Sequence, residues 1–457
     1  MNAEKQYLDL YAECRDTISR HSASVLNAFR EDAYQHFQTL GFPTRKVERY
    51  KYTDVASSFA PDYGLNLNRL DIPVNPYEVF HCDVPNLSTS LYFMVNDQFC
   101  DKFLPKLSLP EGVLVMSLCQ AAQLYPHLVE PYYGRLARSS KDAINAFNTM
   151  FVQDGLFIYV PRNKVVERPI QIVNVLRSDV DLLVNRRLLV VLEDGAQAQF
   201  LLCDHAIDDR NFLATQVAEI FVGENAHLQY YELEETHAKN HRFANTYVKQ
   251  AAHSTATIDT ITLQNGFTRN RTDILLDGEY SEVNMYGGVI ADNHQHVDNN
   301  TLIDHRSCNC TSNELYKYVL DGHATGAFAG RVLVREGAQN TVSKETNANL
   351  CATRTARMYT QPMLEIYADD VKCSHGSTVG QLNDAALFYM CQRGIPEEEA
   401  RMLLKFAFMG EVLDSIPMTV LRDRLHYLVE KRFRGELGKC AGCKAVHNTN
   451  CEPIEHE

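Results

Sequence analysis

The stretch Leu192-Glu-Asp-Gly-Ala-Gln-Ala-Gln-Phe200 returns further along the chain as Val222-Gly-Glu-Asn-Ala-His-Leu-Gln-Tyr230. In each copy a strand-like run leads into an acidic residue with Gly or Asn, a small residue follows, and the alternation resumes. Weaker copies span residues 276–285, 320–328 and 334–342. One such unit cannot bury its apolar face alone, whereas stacked units share a continuous core. The repeat therefore predicts a β-solenoid, most simply a β-helix, with two packed sheets as the alternative.

The repeat lies inside a longer region of β character, residues 151–382. Short runs rich in Val, Ile, Leu, Phe and Tyr alternate there with turn residues, as in GLFIYVP (155–161) and RPIQIVNVL (168–176). No amphipathic stretch of helical length interrupts these runs, which argues against β-α-β units. The predicted fold class is therefore mainly β, with this region as its core.

The N-terminal region, residues 1–150, has a mixed and partly helical pattern. Apolar residues fall at helical spacing over the first forty residues, until Gly41 and Pro43 end the pattern. The helical spacing returns over residues 117–150. Between them, residues 55–110 are rich in Pro, Asn and Asp and support no assignment.

The C-terminal region changes from strand to helix spacing. Asn383 or Asp384 can cap a first helix that Gly394 ends. Two more apolar helical patterns follow, so residues 383–435 are expected to form a helical domain. The remaining residues, 436–457, are expected to form a flexible tail.

Composition excludes several classes of function. The chain has 457 residues, with 44 Lys and Arg against 58 Asp and Glu, so its formal net charge is −14. This acidic balance argues against binding to nucleic-acid phosphates. No stretch reaches the roughly 18 apolar residues of a membrane span, and the charged N-terminus lacks the apolar segment of a secretory signal. A cytoplasmic protein is therefore expected. The chain has no Walker-type G-x-x-x-x-G-K-[ST] sequence, so it carries no nucleotide site of that kind.

Cys373 and His375 form the first candidate site. Residues two apart on a strand point to the same face, and thiolate with imidazole suits zinc, copper or an iron–sulfur species. The neighbouring Lys372 is expected to lower the pKa of the thiol. The alternative is a structural cysteine beside a hydrogen-bonded histidine.

Two weaker candidates lie elsewhere in the chain. His294 and His296, one residue apart on a predicted strand, have the spacing of a metal-ligating pair. Their alternative role is as hydrogen-bonded side chains of a solenoid turn. The tail supplies four ligands at a spacing that suits one tetrahedral zinc, namely Cys440, Cys443, His447 and Cys451. Their alternative is an unstructured tail with incidental thiols.

Longer motifs add a family resemblance. They are VERYKYTDV (47–55), FNTMFVQDGLFIYVP (147–161), NGFTRNRTDILLDGEYSEVNMYGG (265–288), HQHVDNNTLIDH (294–305), SNELYKYVLDG (312–322), GAFAGRVLV (326–334) and QPMLEIYADDVKCSHGSTVGQLNDAALFYMCQRGI (361–395). Together they resemble the SufB/SufD family of iron–sulfur cluster assembly proteins over most of residues 40–415. Tyr50 stands where the family usually has Trp. Residues 370–380 resemble the SufD branch, because the SufB branch carries a Glu-His-Glu-type sequence there.

The resemblance implies a fold and a set of partners. The fold would be a right-handed parallel β-helix flanked by helical segments. The chain would pair with a SufB-like paralogue through the β-helices and present its C-terminal helices, about 396–435, to a SufC-like ABC ATPase. Such a complex assembles nascent clusters with sulfur from a cysteine desulfurase and passes them to apo-proteins. His375 matches the family's SufD histidine at the SufB–SufD interface, which is implicated in forming the nascent cluster, and Cys373 lies beside it.

The resemblance also implies a non-catalytic scaffold, with any ATPase activity on a partner chain. It leaves open a homodimer of the isolated chain and a reduced flavin bound by the complex. One alternative function is a β-helix enzyme acting on polysaccharide, which would need paired carboxylates. Asp369 and Asp370 are poor candidates, because adjacent strand residues face opposite sides. The other alternative is a metal-transfer protein that uses the tail cysteines.

Overall fold

The computed structural model describes residues 3–76, 88–105 and 109–437. Its nineteen strands in these ranges are β1 (Ser90–Val95), β2 (Gln98–Phe99), β3 (Leu114–Ser117), β4 (Leu156–Val160), β5 (Ile170–Leu176), β6 (Leu182–Leu192), β7 (Gln197–Ala206), β8 (Phe212–Val222), β9 (His227–Glu235), β10 (Asn240–Gln250), β11 (Thr255–Gln264), β12 (Phe267–Leu276), β13 (Glu282–Ala291), β14 (His296–His305), β15 (Thr311–Leu320), β16 (Thr325–Val334), β17 (Thr341–Cys351), β18 (Arg357–Ile366) and β19 (Val371–Gly380). The chain is mainly β, as its sequence predicts.

Successive strands alternate between two sheets. One sheet, here called sheet A, runs β3, β4, β6 and onward through the even-numbered strands to β18; the other, sheet B, runs β2, β1, β5, β7 and onward through the odd-numbered strands to β19. From β4 onward neighbouring strands within each sheet are parallel. The chain therefore winds as a β-solenoid of about eight turns, and the alternative of two separately packed sheets is wrong.

The sequence repeat is the stacking unit of this solenoid. Leu192 pairs in register with Val222, and Phe200 pairs in register with Tyr230. The residues at these positions lie in the main apolar core. Between them the chain turns through left-handed backbone, with φ of +69° at Gly195 and +56° at Asn225. Gly and Asn tolerate that conformation better than other residues, which explains the acidic-Gly and acidic-Asn signature.

The N-terminal region packs against the outer face of sheet A. Its helices are α1 (Ala3–Arg20), α2 (Ser24–Asn27), α3 (Arg30–Leu40), α4 (Val55–Phe59), α5 (Leu118–Leu124), α6 (Pro126–Val129), α7 (Arg135–Ser139) and α8 (Ala143–Phe151), with short 3₁₀ turns at Glu48–Tyr50 and Asp101–Phe103. The first forty residues form three helices instead of one. The buried Arg30 accounts for the break, because it donates to Ser22 Oγ and to the Met150 carbonyl and so turns the chain back onto α8.

The C-terminal helices cover the outer face of sheet B. They are α9 (Asp384–Gln392), α10 (Glu397–Asp414) and α11 (Thr419–Phe433). Asn383 caps α9 as predicted, since its Oδ1 accepts from the amides of Ala385 and Ala386. Apolar residues of α10 and α11 pack on those of β7, β9 and β11. Across the ranges that the structure describes, no helix combines the length and apolar character that crossing a bilayer requires.

Candidate functional site

The last turn of the solenoid leaves both sheets open. β18 and β19 are the terminal strands of their sheets, and their outer edges have no strand partner among the described residues. Residues that pair in register from one turn to the next form a column, and the columns that are buried in earlier turns are uncovered at this end. Ile366 pairs with the buried Val334 and Val379 with the buried Asn349, yet Ile366 and Val379 are 39% and 52% exposed. This surface of β18 and β19 is called the open end below.

His375 lies at the open end, in the same column as the first repeat. The column runs in register from Phe200 and Tyr230 through Ile258 and Met285 to Glu314, Glu345 and His375. Its first members are core residues, so the column faces the interior of the solenoid. His375 is exposed because no further turn covers it. The His375 imidazole therefore lies on the inner face of the solenoid but is accessible to a chain that covers the open end.

A buried carboxyl pair lies beneath His375. Glu314 and Glu345 are at most 1% exposed. Thr301 lies within hydrogen-bonding reach of Glu314, and the Glu345 carboxyl group has no hydrogen-bond partner among the described residues. Burial raises the pKa of both groups, and the proximity of Glu314 raises that of Glu345 further. Gly330 leaves the space that Glu345 occupies, since a Cβ there would clash with Glu345 Oε1. The pair therefore retains at least one proton at neutral pH.

Sequence reasoning missed this carboxyl pair. A glutamate inside an alternating strand reads as a solvent-facing residue. The signal that identifies the pair is the repeat itself, since counting in register from Tyr230 places Glu314, Glu345 and His375 in one inward column.

Cys373 shares a strand face with His375 but has a different environment. Both lie in β19 with one residue between them, about 6.7 Å apart along the strand. Cys373 is partly buried against the cluster that contains Val332 and Val334. Burial raises the pKa of its thiol. The expected lowering by Lys372 is wrong, because that side chain is exposed on the opposite face of the strand.

The other predicted ligands are not brought together. His294 lies in the turn before β14, where its ring stacks on His323 with centroids 5.1 Å apart. His296 begins β14, is partly buried, and stacks on Phe267 at 4.6 Å. Burial lowers the pKa of His296. The tail ligands, Cys440, Cys443, His447 and Cys451, lie outside the described residues. Within those residues, no group of three or more His, Cys, Asp or Glu side chains is placed to hold a metal ion.

The 48–53 segment links the N-terminal region to the later turns. Arg49 pairs with Asp273 of β12 at 2.8 Å, and the Tyr50 hydroxyl donates to Asp142 at 2.8 Å. Tyr52 stacks on Tyr359 of β18, with ring centroids 4.6 Å apart. The segment therefore reaches the open end and braces its terminal strand.

A second exposed surface lies on the C-terminal helices. Phe388 and Tyr389 of α9 are 64% and 58% exposed; they are called the aromatic patch below. By contrast, much of α10 and α11 is committed to the solenoid, as where Arg432 pairs with Asp292 at 2.8 Å. Exposed neighbouring aromatic side chains mark interaction sites more often than isolated ones do.

Comparison with known proteins adds the family. Residues 1–172 match the model of the SufBD protein N-terminal region, and residues 175–408 match the SufBD core domain of SUF system FeS cluster assembly. The chain is 27% identical to an iron–sulfur cluster assembly SufBD family protein of Synechocystis, over 91% of this chain and 93% of that protein. It is 27% identical to the iron–sulfur cluster assembly protein SufD of Escherichia coli, covering 88% and 93%. The SufD protein of Bacillus subtilis is 23% identical, covering 95% and 99%.

Proposed function

This chain belongs to the SufBD family of iron–sulfur cluster assembly proteins, and from that premise we propose that it is a SufD-like, non-catalytic scaffold subunit of a SufBCD-type complex. In this role it pairs with a SufB-like paralogue, docks a SufC-like ATPase, and helps to assemble nascent clusters for transfer to apo-proteins. The observation that carries the proposal is the position of His375 at the uncovered end of two sheets.

The open end suits pairing with another β-helix. Unpaired strand edges are ready templates for strands of a second chain. The uncovered core columns supply apolar surface beside those edges. A paralogue that extended both sheets would cover Ile366 and Val379 and would place its own side chains opposite His375.

The chemistry of this end suits a shared and temporary cluster site. Imidazole and thiol groups are both iron–sulfur ligands, and β19 offers one of each. Clusters usually take four protein ligands, so the partner would supply the others. His375 is the stronger candidate because it is exposed, whereas Cys373 is partly buried with a raised pKa. The cluster is cargo of the complex under this proposal.

The His375→Ala variant tests the site. We expect cluster formation on the co-expressed complex to fall at least about tenfold while the complex still assembles, because the lost imidazole is exposed and supports no packing. The measurement is anaerobic reconstitution followed by visible absorption and iron and sulfide analysis. His294→Ala is the matched control, since it removes an exposed histidine from the turn before β14, a strand that β16 separates from β18. An unchanged cluster yield in His375→Ala would refute the assignment.

The aromatic patch is the proposed contact with the ATPase. It precedes residues 396–435, the segment that the family resemblance implies as the contact with the ATPase. The helices of that segment cover apolar residues of sheet B. Deleting that segment would expose the solenoid, so point substitutions are the sharper test. A double variant, Phe388→Asp with Tyr389→Asp, is expected to weaken ATPase binding at least about 100-fold, since buried hydrophobic anchors dominate such interfaces.

Pull-down of the SufC-like chain measures that weakening, with pairing to the SufB-like chain as the internal control. Tyr280→Asp is the matched variant, since Tyr280 is another exposed aromatic residue and lies in the turn between β12 and β13, outside the C-terminal helices. ATPase binding retained by the double variant would contradict the placement. Reduced flavin binding, a homodimer of the isolated chain, sulfur supply by a cysteine desulfurase, and metal binding by the tail remain predictions.

A further inference from the structure

A lone carboxyl group lies beneath the C-terminal helices. Asp259 of β11 faces outward from sheet B, yet it is 1% exposed. Neither of its carboxyl oxygens has a hydrogen-bond partner among the described residues. Its strand neighbours in register are Tyr231 and Tyr286. Burying such a group without a partner is costly, so its position needs an explanation.

The C-terminal residues that line the small cavity holding the Asp259 carboxyl group are all apolar. They are Leu421 and Leu425 of α11 and Ile416 of the connection between α10 and α11. The polar attachments lie farther out: Arg432 donates to the Leu263 carbonyl at 2.6 Å and pairs with Asp292. This contact between α10, α11 and sheet B is called the helix seat below. At the margin of the helix seat the polar groups are hydrogen-bonded, whereas the Asp259 carboxyl group at its centre has no hydrogen-bond partner within the described part of the chain.

We propose that Asp259 makes the helix seat reversible. The helices α10 and α11 stay packed on sheet B while the Asp259 carboxyl group is neutral, and their detachment admits water that allows this group to ionise. The inference concerns the chain by itself and does not depend on the proposed partners. If an ATPase does bind these helices, the seat is the contact through which its movement would reach the solenoid.

The direction of the pH dependence follows from the surroundings. Burial raises the pKa of Asp259 well above its ordinary value. The titratable groups around it are Tyr231, Tyr286, Tyr316 and Glu232, and Glu232 is paired with Arg242 at 2.9 Å. A lifted seat would expose Asp259 with an ordinary pKa of about 3.9. The seated state therefore binds the proton more tightly, and the seat weakens as pH rises from about 4 toward the raised pKa.

Hydrogen exchange of the full chain, read by mass spectrometry, tests this inference. After correction for intrinsic exchange, the opening constant of α11 and β11 amides in the natural chain is expected to rise with pH between 5 and 8. The limit for a single ionisation is about tenfold per pH unit. Asp259→Asn should abolish that slope, and Asp259→Leu should abolish it and slow exchange at pH 8 by at least tenfold.

Asp292→Asn is the matched control. It removes the marginal partner of Arg432, so it should speed opening at every pH while retaining the pH slope. A natural chain whose opening constant does not change over this range would overturn the inference, even if neither Asp259 variant folds. A slope that persists in Asp259→Asn would overturn it equally.

Discussion

The Glu219→Ala variant is expected to lose about 3–5 kcal/mol of the free energy of unfolding. Glu219 of β8 is fully buried and accepts from the amides of Gly134, Leu136 and Ala137 at 2.7–3.0 Å. It also pairs with Arg187, itself buried, at 2.8 Å. Alanine would leave a buried guanidinium without its carboxylate and three amides without an acceptor, and each loss is costly.

Urea unfolding followed by circular dichroism measures this loss, since the chain has no tryptophan to report by fluorescence. The midpoint should fall sharply. Asp209→Ala is the matched control, because it breaks an exposed pair with Lys239 and should change stability by less than about 1 kcal/mol. A loss below about 1 kcal/mol in Glu219→Ala would show that the α7 attachment does not depend on this carboxylate.

The solenoid could be predicted because its signal is local and repeated. Many of its turns place a Gly or Asn at a left-handed position between two alternating strands, although His253 and Tyr280 occupy that position in two of them. Glu219 could not be predicted this way. Its partners lie on α7 and β6, and nothing in the local pattern of β8 distinguishes it from a solvent-facing glutamate.

The site was predictable in part. Strand alternation puts Cys373 and His375 on one face, and the resemblance to SufD proteins singles out His375. Alternation also sends Lys372 to the opposite face, so proximity along the chain was a poor guide to its effect on the thiol. The exposure of His375 depends on where the winding stops, which no local pattern records. The buried carboxyl pair needed the register of three successive turns.

Charges placed at the open end are expected to abolish pairing with a SufB-like chain. In the double variant Ile366→Lys with Val379→Lys, both ammonium groups reach water in the unpaired chain, because these positions are 39% and 52% exposed. In a pair that continued the sheets, both would be buried without a partner. Native proteins use edge lysines to block such pairing for this reason. The dissociation constant should rise at least about 100-fold, which corresponds to about 2.7 kcal/mol.

Size-exclusion chromatography with light scattering on the co-expressed chains measures the pairing. Val180→Lys is the matched control, since Val180 is 60% exposed in the turn between β5 and β6, away from the open end. Thermal unfolding of the isolated double variant should stay within a few degrees of the natural chain, which separates lost pairing from lost folding. If the double variant still paired, the contact would have to lie away from β18 and β19, and His375 would then face solvent in the complex and could not share ligands across the interface.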